Sequence, residues 1–316
     1  MVNNPILGRH AVRFVAVASA LVMALITAPG TAGATHSWRI VDLGVGDNSY
    51  ATAINERGHV VGVANGRAFL WRNGQVTYLG YGDATDINNH DEIVGNFDFS
   101  SGFLWRDGVI TPLPGRAAAI NDRGEVVGTS YSDYYSSAFL WRDGVTTYLD
   151  SLPDTFGSEA RDIDNAGVVV GAGREIAPLS DHIVRWRHGN VEAVSTTERG
   201  YAVAVNARGS ITGTHWAGTP EGAWRHYWFV WHQGEFISIA PPPGETFVQP
   251  QGINDRTQVV GETDRDAFVW QAGRMTLLPR LLSTTGAYDI NNRGQIVGAS
   301  SVRSDGLNRH AVLWVR

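Results

Sequence analysis

Short apolar runs alternate with polar turn signals through most of this chain, and the alternation repeats. In the first unit Ala51 to Asn55 is short and apolar, and Val60 to Ala64 is β-branched. Ala68 to Trp71 is apolar and aromatic, and Val76 to Leu79 alternates Val-Thr-Tyr-Leu. Runs this short, separated by Asn- and Gly-containing turns, predict a four-stranded meander. No segment sustains a helical period.

The unit recurs as Ile-Asn-x-x-Gly-x-Val-Val-Gly, a variable gap, Ala-Phe-Leu-Trp-Arg-x-Gly, then Val-Thr-x-Leu. It starts at Ile54, Ile87, Ile120, Ile163, Val205, Ile253 and Ile290, so the start-to-start distance runs from 33 residues (Ile54 to Ile87) to 48 (Val205 to Ile253). Self-similarity at this period means that neighbouring units bury a shared core. The matching tryptophans, from Trp71 through Trp141 to Trp314, recur in register and are expected to pack between units. The repeated asparagines read as turn-formers: in Asn55-Glu56-Arg57-Gly58, Asn caps the turn and Gly takes its positive-φ position. Asp91 and Thr257 occupy that Gly slot in two units.

The ends complement each other. The chain stops at Trp314-Val315-Arg316, after a third strand, and Trp38 to Gly44 resembles the fourth strand Gln75 to Gly80. This predicts an all-β fold, a seven-bladed β-propeller of four-stranded blades. Its ring would be closed by the N-terminal strand completing the last blade. An open β-solenoid, the alternative, would not need matching ends.

Composition narrows the setting. Arg9 and Arg13, the apolar stretch Phe14 to Thr27 and the small residues Ala32-Gly33-Ala34 read as a secretory signal peptide. Residues 1–34 are then the signal, and 35–316 a single seven-repeat domain that is secreted, monomeric and without a membrane span after cleavage. There is no cysteine, which excludes a disulfide scaffold, a thiol nucleophile and a Cys-ligated metal. All 25 basic Lys/Arg positions are arginine, the net charge is -6 and no basic tract occurs, so no nucleic-acid partner is expected.

The repeat phrase resembles the HAF-repeat family of probable extracellular proteins, over nearly all of the chain beyond the signal. The His-Ala-Phe slot reads Arg67-Ala68-Phe69, Ser137-Ala138-Phe139, Asp266-Ala267-Phe268 and His310-Ala311-Val312, so only the last keeps His. The resemblance implies secretion and repetition, and it brings no catalytic residues.

In an up-and-down blade the two tight turns share one face, and the longer loops and blade links share the other. All length variation falls on the latter, which makes it the candidate binding face. Its loops are aromatic: Trp216, Trp224, His226 and Tyr227 in the fifth unit, and Tyr131, Tyr134 and Tyr135 in the third, are the candidate ligand contacts. Flat rings with polar tips suit recognition of sugar rings or of a protein; the opposing expectation is that long loops fold back over their own rings. The expected function is therefore a non-enzymatic module that binds a glycan, a cell-wall polymer or a protein. A polysaccharide hydrolase or lyase, or a purely structural module, is the alternative. Acids and histidines on that face (Asp98, Asp133, Glu175, Asp181, Glu221 and Asp264; His182, His215 and His226) show no spacing that selects a catalytic pair, and neither a metal site nor a cofactor is expected.

Overall fold

In the computed structural model the described residues are 37–133, 135–153, 155–175, 181–218 and 224–316. Residues 37–316 form one compact unit; the leader expected in residues 1–34, Tyr134 and Glu221 lie outside the described residues. The described chain is all-β, with 28 strands, all pairing antiparallel in up-and-down order. They form six sheets: five of four strands and one of eight. The large sheet contains repeats four and five, joined only by the residue pair His182–Arg199. The expectation of a separate sheet for every repeat is corrected there, because an ionic cluster described below draws those two edges together.

The motif explains the local structure. In each repeat the innermost strand carries a register shift two residues before its Ile-Asn step, as between Ala117 and Ala119. The Gly of Val-Val-Gly faces that shift. A Cβ on Gly128 would lie 2.0 Å from the Arg116 carbonyl oxygen and 2.8 Å from the Phe139 ring, so no larger residue fits. At the following turn the Asn121 carboxamide oxygen accepts the N–H groups of Arg123 and Glu125, and Gly124 sits at φ 69°.

The core lies between repeats. Seven apolar clusters occur among the described residues, each built from two consecutive repeats; one joins Val297 and Leu313 of the last to Val60 and Phe69 of the first. A single repeat thus has no core of its own. Trp141, Trp186, Trp231, Trp270 and Trp314 are buried in these clusters, and Trp71 and Trp105 are partly buried.

The N-terminal strand Arg39–Asp42 pairs with the C-terminal strand Arg309–Val315, Ile40 opposite Trp314. His310 fastens it: one ring nitrogen lies 2.7 Å from Asp42 and the other 2.9 Å from Asp47. His310, at the His position of the last repeat, thus holds the N-terminal segment. The innermost strands pack in succession, and Thr285–Ile290 of repeat seven packs against Ser49–Ile54 of repeat one.

Candidate functional site

The inward side chains of the innermost strands fall into layers. A cavity of about 150 Å³ is lined by all seven repeats. Its lining includes the residues at the register shifts, Thr52, Thr85, Ala118, Arg161, Val203, Gln251 and Tyr288, and the layer beside them, which carries Asp86, Asp162 and Asp289. A second cavity of about 210 Å³ continues to the tight-turn side, bordered by the Ile-Asn steps of every repeat.

The three aspartates are fully committed. Asp86 accepts the N–H of Ile87 and, across the repeat boundary, that of Ile120 at 2.8 Å. Asp162 accepts Ile163 and Val205, and Asp289 accepts Ile290 and Ile54. Burial pushes Asp86 up to about 6 and Asp162 and Asp289 each up to about 7, against the pull of those N–H donors. Repulsion from Asp86 also contributes at Asp162 and Asp289. Each carboxyl is a clamp between repeats. Among the described residues no cluster of His, Asp or Glu could hold a metal ion.

On the loop side the space widens into two cavities. One, about 490 Å³, is lined by Arg116, Tyr131, Glu159 and Arg161, with Thr85, Thr129 and Gln251. The other, about 390 Å³, is lined by Tyr50, Thr52, Gln251, Tyr288 and Arg309. Gln251 borders both. In the first, Arg161 pairs with Glu159 at 3.2 Å and lies 4.2 Å over the Tyr201 ring. Arg174 bonds Asp181 at 3.0 Å and lies 3.7 Å from Glu159. The Tyr131 and Phe99 rings meet at a tilt, 5.0 Å apart, and Arg116 lies 6.0 Å over Phe99. In the second, Arg309 donates to the Tyr288 hydroxyl at 3.3 Å. Glu262 lies alongside, its carboxyl raised by burial and reached by a Cβ built on Gly286 at 2.5 Å.

Of the residues singled out from the sequence, Tyr131 lines the larger cavity. Trp216 is only 8% exposed: its indole N–H donates to His226 at 2.8 Å and its ring meets Tyr201 edge-on. Tyr227 stacks on His215 and is half-buried. Trp224 opens the strand Trp224–His232 and pairs with Gly218. Tyr135 is 58% exposed, beyond the cavity lining. The rings of the fifth repeat thus meet the mouth through Tyr201. Beside them His182 contacts Glu175 and Arg199, the cluster that joins repeats four and five. Sequence reasoning missed Arg116, Arg161, Gln251 and Tyr288. Their signal was available: each lies two or four residues before an Ile-Asn or Ile-Asp step.

No protein-family model and no curated protein sequence matches the chain. Solved structures do. The β-propeller domain of the Trilobed protease from Pyrococcus furiosus, described as having an open velcro topology, superposes with a TM-score of 0.54 at 13% identity, over 84% of this chain and 93% of that one. YCF48 bound to D1 peptide gives 0.54 at 13%, over 88% and 95%. An acylaminoacyl peptidase from Pyrococcus horikoshii gives 0.48 at 16%, over 73% of this chain, which spans only 45% of that protein. By fold the chain is a β-propeller protein.

Proposed function

We propose that the seven repeats form a closed seven-bladed propeller that works outside the cytoplasm as a non-enzymatic binding module for a glycan or cell-wall polymer, seated at the loop-side mouth. The observation that carries this reading is the mouth itself: two adjoining cavities of about 490 and 390 Å³, walled by tyrosines and arginines and sharing Gln251. Volumes of this size take small ligands, and hydroxyl, amide and guanidinium groups set their orientation. Aromatic faces beside them suit sugar rings. Closure is supported by the packing of repeat seven on repeat one and by their common apolar cluster. Export is supported by the sequence of the first 34 residues.

Hydrolysis or elimination is the second reading, favoured by one observation: Glu262 beside Tyr288, a carboxyl and a phenol both raised by burial. The buried aspartates do not add to it, because their oxygens already hold backbone N–H groups. The test is a pull-down on soluble and insoluble polysaccharides, with the same mixtures assayed for newly released sugar ends. Binding without release, lost in Tyr131→Ala with the fold intact, supports the module. Release that disappears in Glu262→Gln overturns it in favour of the enzyme.

A further inference from the structure

We infer that the glycan taken at the mouth is an acidic one, and that Arg116 reads its carboxylate; this rests on the glycan reading above. The guanidinium of Arg116 lines the larger cavity, and among the described residues no carboxylate lies within ion-pair distance of it. Its neighbours are otherwise engaged. Glu159 is shared by Arg161 and Arg174, and Arg174 also holds Asp181. Asp83, on the adjacent inner strand, accepts the Asn96 N–H at 3.0 Å. Of Arg116, Arg161 and Arg174 at this wall, Arg116 is the one that makes no ion pair.

A partly buried guanidinium of this kind favours an anion, and its fork matches a carboxylate bidentately. The rest of the lining selects what carries that carboxylate. Thr85, Thr129 and Gln251 offer hydroxyls and an amide, Tyr131 offers a ring edge and a hydroxyl, and only Ala and Val side chains are apolar. Such a wall matches a ligand with many hydroxyls. It lacks the apolar pockets that an extended peptide would fill with alternate side chains. A uronic-acid residue meets both demands, carboxylate to Arg116 and hydroxyls to the threonines and Gln251.

The purified full-length protein would be titrated with a panel of uronate oligomers (galacturonate, mannuronate and glucuronate based) and with the same oligomers after reduction of the carboxyl groups to alcohols. Acidic oligomers should bind about tenfold or more tightly than their reduced forms, and added salt should weaken the acidic arm. Arg116→Gln should bring the acidic oligomers down to the affinity of the reduced ones, and Arg116→Lys should restore part of the difference. An unchanged melting temperature certifies that the variant is folded. Equal binding of acidic and reduced forms overturns the acidic assignment and leaves the glycan reading standing. Binding of neutral glycans alone does the same. Binding of poly-glutamate but of no sugar overturns both.

Discussion

At the scale of single residues the repeat phrase is an inventory of backbone needs, and departures from it have consequences. Thr257 stands in the Gly slot of its turn at φ 56°, a conformation that costs a β-branched residue about 1–2 kcal/mol. Thr257→Gly should therefore raise the melting temperature, and an unchanged or lower value would mean that the Thr side chain supplies a compensating contact. Asp91 fills the same slot in repeat two at φ 62° with a clear return, since its carboxylate meets His59, Arg72 and the Asn55 amide. The buried aspartates make a second prediction. The unfolded chain binds protons at these carboxyls only below about pH 4, whereas the folded carboxyls hold theirs to about 6 at Asp86 and about 7 at Asp162 and Asp289. Between those limits the folded state carries more protons, so this contribution to stability is full below pH 4, declines as pH rises through 6 to 7, and is flat above. Melting temperature should fall between pH 5 and pH 8, and the fall should be shallower in Asp162→Asn. An identical slope in that variant would remove Asp162 as a source.

Strands and turns cohere because each repeat completes its neighbour. The Asn side chain of one turn donates to the Asn (or Asp) carbonyl of the next: Asn55 to Asn88, Asn88 to Asn121, Asn121 to Asp164, then Asn206 to Asn254, Asn254 to Asn291, and Asn291 to Asn55. The series fails only between repeats four and five, where Asp164 has no amide to give. The outer series of turn contacts also skips this step, since Ala207 stands where Asn89, Asp122, Asn165, Asp255, Asn292 and Glu56 accept an N–H in the other repeats. Asp164→Asn should supply the missing bond and stabilise by about 0.5–1.5 kcal/mol; chemical denaturation measures it, and a loss of stability would show that the charge itself is required. The tryptophans belong to this scale too. Trp141, 6% exposed in the cluster between repeats two and three, should cost about 3–5 kcal/mol when replaced by Ala. A near-unchanged melting temperature would deny it a packing role. Strand lengths, turns and this packing were readable from the sequence, because they depend on neighbours along the chain and on a period. The joined sheet of repeats four and five was not, because it depends on His182 meeting Glu175 and Arg199, two residues that the repeat phrase does not specify.

For the whole molecule, the sequence located the variable face but not the place on it where side chains converge. Loop length and aromatic content drew attention to Trp216 and its neighbours, yet Trp216 is buried against Tyr201 and His226. The mouth is instead assembled from residues of all seven repeats, most of them on the innermost strands, so no local window contains it. Its recurrence is visible only once the repeats are aligned and their inward positions compared. The same packing that gives the fold its core therefore also builds the mouth. Repeats two to four contribute Thr85, Arg116, Tyr131 and Arg161, and repeats six and seven contribute Gln251, Tyr288 and Arg309 from the other side. The measurement that tests this most directly is a crystal structure of the protein soaked with a uronate oligomer. A sugar ring at the mouth, with its carboxylate on Arg116 and hydroxyls on Gln251, is the result expected. A sugar held on the tight-turn side or on an outer strand edge, with the mouth empty, would contradict it.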